Sequence, residues 1–158
     1  MTFKADSLLL FGATGDLSQR MLLPSLCALD ADGLLDPALR ITGTARSPMD
    51  DHSFRNFARE AIEKYLPAGR RGSMADFLNR LHYQPLNVTE PASFAALGEK
   101  VGTAQQLAIF LSTAPSLFEP TIRGLESAGL TGERARIGLE KPLGIDLATS
   151  CEINDAVA

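Results

Sequence analysis

The sequence predicts an α/β fold, a doubly wound (Rossmann-like) and mostly parallel sheet of about five strands with helices on both faces. Two observations carry this reading. Short apolar runs of strand length alternate with longer stretches whose apolar residues recur at helical spacing. The first of those runs ends in a glycine turn that opens directly into a helix. Such alternation implies right-handed crossovers, and it directs attention to the carboxyl ends of the strands, where ligands of open α/β sheets bind.

Taken in order, residues 7–11 (Ser-Leu-Leu-Leu-Phe) form a compact apolar run that stops at Gly12, as a strand buried on both faces should. From Asp16 to Asp32 the residues Leu17, Met21, Leu22, Leu26 and Leu29 recur with helical period. Pro24 lacks a backbone donor and is expected to bend this helix, and Gly33 is its expected stop. Residues 40–45 read as the second strand and 51–65 as a helix broken by Pro67-Ala68-Gly69. A short helix fits 74–81, and 82–86 forms a weak strand because it contains Pro85. A helix over 90–101, a strand over 106–111, a helix over 116–127 and a strand over 136–140 follow, and Asp146 opens a further helix.

A chain of 158 residues suffices for one domain with its own core. Its formal charge of -4 gives no general attraction to nucleic acid or to an acidic membrane surface, so a bound polyanion needs a local site. Runs such as Leu8-Leu9-Leu10-Phe11 are too short to span a bilayer. The amino terminus has no basic segment followed by an apolar core, which points away from a secretory signal and towards the cytoplasm. Cys27 and Cys151 fall in predicted helices without metal-ligand spacing and read as plain thiols.

The turn Gly12-Ala13-Thr14-Gly15-Asp16-Leu17 is the first candidate site. Gly12 permits a tight strand-to-helix turn, and Gly15 leaves room for a pyrophosphate to approach the backbone. Free amides and the positive end of the helix dipole would then hold phosphate oxygens. Ser18 occupies the place of a third small residue, for close helix packing. Asp16 reads as a helix cap, because its carboxylate would repel a nearby phosphate.

The second strand ends Thr44-Ala45-Arg46-Ser47 with no acid before Asp50. An acid there would grip both ribose hydroxyls of NAD, whereas a guanidinium pairs with a 2′-phosphate. Arg46 therefore favours NADP, and Asp50 and Asp51 are expected to start the next helix. Backbone groups of Ser112, Thr113 and Ala114 are expected to line the nicotinamide side. Asn87 and Val88 follow the third strand, and Lys141 follows the last.

Several of these residues together resemble a known family. Gly12-Ala13-Thr14-Gly15-Asp16-Leu17 with Arg20 and Leu22-Leu23-Pro24 closely resembles the glucose-6-phosphate dehydrogenase signature. Gly43-Thr44-Ala45-Arg46, the Ala114-Pro115 turn and Glu140-Lys141-Pro142-Leu143-Gly144 recur in the family's order. The resemblance implies NADP as cofactor and oxidation of D-glucose 6-phosphate to 6-phosphogluconolactone, in the pentose phosphate pathway. Lys141 would contact both the sugar phosphate and the cofactor, Arg46 the 2′-phosphate, and Asn87 and Val88 the adenine end.

The chain departs from the family at Met21, where a lysine is common, and at Asn87, where aspartate is. The family's catalytic histidine lies in a motif beyond Ala158, so no catalytic residue is expected here. His52 and His82 lack that motif's neighbours. The expectation is an NADP-binding domain over residues 1–158, inactive alone, with a second domain and homo-oligomerisation belonging to a longer protein. The alternative is a stand-alone NADP sensor without catalysis.

Overall fold

A computed structural model describes residues 3–140. Its elements are β1 (Ser7–Phe11), a π-helical turn (Ser18–Leu22) running into α1 (Leu23–Ala31), β2 (Arg40–Ala45), α2 (Asp51–Tyr65), α3 (Met74–Asn79) and β3 (Leu81–Pro85). They continue with α4 (Pro91–Val101), β4 (Leu107–Leu111), α5 (Phe118–Ser127) and β5 (Ala135–Leu139). The five strands form one parallel sheet in the order β3-β2-β1-β4-β5. The expected doubly wound fold is therefore present. The helix expected from Asp146 and the residues Lys141 and Cys151 lie outside the described residues.

The central strand β1 is flanked on both sides, with Phe11 in register with Thr44 of β2 and Leu111 of β4. It separates two apolar clusters. One gathers Leu10, Ile41, Phe54, Ile62 and Tyr83 under α1, α2 and α3; the other gathers Leu9, Phe94, Leu97, Ile109 and Leu125 under α4 and α5.

The first helix is distorted one turn before Pro24 rather than kinked at it. The Leu23 N–H donates to Ser18 O, five residues back. A proline ring collides with the carbonyl four residues earlier in an ordinary α-helix, and a wider turn avoids that contact. The helix ends as expected: Gly33 adopts φ +72°, its N–H donates to Asp30 O and the Leu34 N–H donates to Leu29 O. This double bond is a Schellman stop.

Periodicity misplaced one boundary. Leu81 fits the apolar face of a helix over 74–81, but α3 ends at Asn79 and Leu81 pairs with Ile41 as the first residue of β3. Pro85 is tolerated because β3 is the sheet's edge and the proline is its last residue. The outward-facing edge is covered by α2: Asp51 accepts the Tyr83 N–H at 2.8 Å, and Arg55 Nε donates to Leu81 O at 2.9 Å. Groups that would otherwise invite another strand are thereby used.

Candidate functional site: a cleft at the carboxyl edge of the sheet

The strand order reverses between β2 and β4 on either side of β1, and the loops leaving those strands diverge there. They open a cleft of about 500 Å³. Its floor is the glycine turn, one wall is the Arg46–Ser47 loop, and the others are Leu86–Thr89 and Ser112–Ala114. Of the residues expected to bind a cofactor, Gly12, Thr14, Gly15, Arg46, Asn87, Val88 and Ala114 all line this one cleft. Ala13, Asp16 and Leu17 do not line it, and Lys141 lies outside the described residues.

Gly12 is required on two counts. Its φ is +73°, and a Cβ there would stand 2.8 Å from Ser112 O. Left-handed backbone disfavours any side chain, and the β4 loop leaves no space for one. The amides of Gly12 and Ala13 both donate to Thr44 O, at 3.0 and 3.2 Å, and Gly15 N–H closes the turn onto Gly12 O at 3.0 Å. These three amides build the turn and are not available to a ligand. The amides of Asp16, Leu17 and Ser18 have no acceptor among the described residues. They are the unsatisfied donors of a helix start; those of Asp16 and Leu17 stand beside the exposed Gly15 and suit an anion, whereas Ser18 is buried. The unpaired amides therefore sit one step further along the chain than the glycines.

Asp16 is not a cap. It is exposed and accepts from Arg20 Nε at 2.8 Å, a pairing that offsets its charge next to the anion position. Ser18 is fully buried, as a close helix contact demands.

Arg46 is exposed on the cleft rim, and its guanidinium makes no hydrogen bond or ion pair among the described residues. The loop beneath it is held firmly. Ser47 Oγ lies 3.4 Å from Thr14 Oγ1, joining this loop to the glycine turn, and Tyr83 Oη donates towards Ser47 O at 2.8 Å. Asp50 does cap α2, accepting the Ser53 N–H at 2.7 Å. Asp51 also stands in the first turn, but its carboxylate spans further, to Tyr83, His82 and Lys100. Burial alone would raise its pKa, and those hydrogen bonds outweigh burial and bring it below the ordinary carboxylate value.

His82 is therefore not isolated; its Nδ1 lies 3.2 Å from Asp51. Burial pushes its pKa below the usual value, with Arg40 and Arg55 adding to that and Asp51 opposing it. It is the second residue of β3 and does not line the cleft. Asn87 lines the cleft, but its side-chain oxygen accepts from Thr89 N–H and Oγ1, and its amide donates to Glu90. The side chain mainly shapes the β3–α4 turn. Sequence reasoning missed Leu86 and Leu117, which line the cleft with apolar surface, and Tyr83, which supports it. Tyr83 carried no local signal because its partners are 36 and 38 residues away.

The family model for the glucose-6-phosphate dehydrogenase NAD binding domain matches residues 9–158. A glucose-6-phosphate 1-dehydrogenase of Zymomonas mobilis is 52% identical over 160 residues, which cover 99% of this chain and 33% of that protein. A relative of the same name from Mycolicibacterium smegmatis is 40% identical over 156 residues, covering 94% of this chain and 32% of that protein. Among solved structures, the glucose-6-phosphate 1-dehydrogenase of Mycobacterium avium superposes with a TM-score of 0.85 at 32% identity, covering 99% of this chain and 34% of that one. The chain thus spans about a third of the length of the curated relatives it matches. With a family model covering almost all of it and a matching fold, the chain belongs to the glucose-6-phosphate dehydrogenase family.

Proposed function

We propose that this chain is the dinucleotide-binding domain, over residues 1–158, of an NADP-dependent glucose-6-phosphate 1-dehydrogenase. One observation supports this most directly. An arginine with no hydrogen-bond or ion-pair partner among the described residues stands at the end of β2, on the rim of a cleft floored by the glycine turn that leads into the unpaired helix-start amides. The residues suit a dinucleotide with a third phosphate. The amides of Asp16 and Leu17 receive the pyrophosphate, Arg46 pairs with the 2′-phosphate, and Thr14 and Ser47 close the space between them.

A bound nicotinamide cofactor supplies the hydride acceptor. This chain's residues bind, orient and partly exclude water: Leu86, Val88 and Leu117 give the cleft apolar walls, and the β4 loop borders the far end. In the longer protein, oxidation would occur at C1 of D-glucose 6-phosphate, with Lys141 contacting substrate and cofactor.

The test is calorimetric titration with NADP and NAD in parallel. Arg46→Ala is expected to weaken NADP by about 10- to 100-fold, the scale of a charge-assisted bidentate contact, and NAD by less than about twofold. Equal losses for both dinucleotides would remove Arg46 from the proposed role.

A further inference from the structure

We propose that Tyr83 is a positioning residue for the 2′-phosphate site: its hydroxyl, bonded to the carbonyls on either side of Arg46, holds the loop that presents the guanidinium. The inference rests on the reading of Arg46 given above. Tyr83 is 2% exposed and does not line the cleft, so it acts only through the loop. Its hydroxyl lies 3.2 Å from Ala45 O and 2.8 Å from Ser47 O. Those two carbonyls bracket Arg46 in the chain.

The ring itself is locked. It packs on Phe54 with centroids 5.1 Å apart, and Phe54 in turn fills the space that a Cβ on Gly43 would occupy, 2.6 Å from that Cβ position. The Tyr83 N–H is held by Asp51 at 2.8 Å, and β3 is paired to β2 in register at Gly43. A residue fixed at backbone, ring and edge therefore carries one donor to a loop that has left the sheet. Burial pushes its ionisation up to about 12, so the hydroxyl remains a donor at neutral pH.

A free arginine side chain has many rotamers and loses freedom on binding. Fixing the backbone at its base limits that loss, which is the general advantage of a preorganised site. Arg46 has no partner of its own among the described residues to do this, so the Tyr83 contact takes that part.

The experiment uses the full-length polypeptide and measures dissociation constants for 2′,5′-ADP and 5′-ADP, which differ only in the 2′-phosphate. Tyr83→Phe removes one oxygen and keeps the ring. The ratio of the 5′-ADP constant to the 2′,5′-ADP constant is expected to fall by about fivefold, the value of one ordinary hydrogen bond, with 5′-ADP binding held within about twofold. In the double variant Arg46→Ala with Tyr83→Phe, the ratio is expected to match that of Arg46→Ala alone, because the positioned group is gone. If Arg46→Ala lowers the ratio but Tyr83→Phe leaves it unchanged, the positioning role fails and the Arg46 reading survives. If Arg46→Ala leaves the ratio unchanged, the Arg46 reading fails and Tyr83 has nothing to position. Parallel loss of both nucleotides in Tyr83→Phe assigns the hydroxyl to general folding and likewise overturns the proposal.

Discussion

On one flank of β1, strands β2 and β3 and their helices are tied by side chains that reach backbone or charge across long sequence distances. Asp51 holds Tyr83 and His82, Arg55 holds Leu81 O, Arg80 pairs with Asp30 and holds Asp36 O, and Tyr83 holds Ser47 O. On the other flank, β4, α4 and α5 meet through apolar contact, with the Phe94 ring pressed against Gly124. The difference follows what each side presents. One side carries Arg46 on a loop at the cleft rim, and directional bonds fix that loop. The other presents mostly uncharged surface at the cleft, for which close packing suffices.

The seam between the flanks is Gly12, and its replacement is expected to have the largest effect. Gly12→Ala forces a side chain into a left-handed backbone and into Ser112 O at 2.8 Å. A destabilisation of about 3 kcal/mol or more is expected in a urea melt, together with loss of dinucleotide binding. Retained binding with an unchanged melt would mean that the two flanks can separate at β1 without consequence.

Gly124→Ala probes the apolar flank alone. A Cβ at this helical position would stand 2.3 Å from the Phe94 ring. Overpacking of about 1–3 kcal/mol is partly offset by the roughly 1 kcal/mol that alanine favours in a helix, leaving about 1 kcal/mol of net loss. Binding of NADP by the folded protein should not change, which calorimetry below the melting temperature can check. A parallel fall in affinity would show that the flanks are coupled.

Acid should loosen the charged flank, with the smallest effect of the three. His82 titrates below its ordinary 6.5 in the fold, so its stabilisation is complete above pH 6.5 and is lost as pH falls through the lowered folded value. Asp51 titrates below 3.8, so its contribution is intact above pH 3.8 and disappears only in stronger acid. Urea melts from pH 7.5 to 4 are expected to show a gentle decline beginning below 6.5, and His82→Gln should flatten that decline. An unchanged slope in the variant would detach His82 from the effect.

Much of the site was legible because its signals are short in sequence. The Gly12–Gly15 spacing, the absence of an acid before Asp50 and the Gly33 stop each depend on residues within one turn or loop. Less legible were features that share a motif but divide its labour. The glycine turn read as one cradle of amides, yet Gly12 and Ala13 donate to Thr44 O, across a strand pairing that no local pattern encodes. Asp16 read as a cap, but the helix begins at that residue and its carboxylate accepts from Arg20. Leu81 was ambiguous between periods until β2 paired with it.

By itself the sequence determined the alternation of strands and helices, the place of the glycine turn and the cation at the end of the second strand. These rest on backbone sterics and hydrophobic period, which act over a few residues. The tertiary structure alone decided which amides stay unpaired, that Tyr83 from the edge strand reaches the Arg46 loop, and that Asp51 joins β3 to α4. Those contacts span 32 to 49 residues and exist only because the strand order brings the segments side by side.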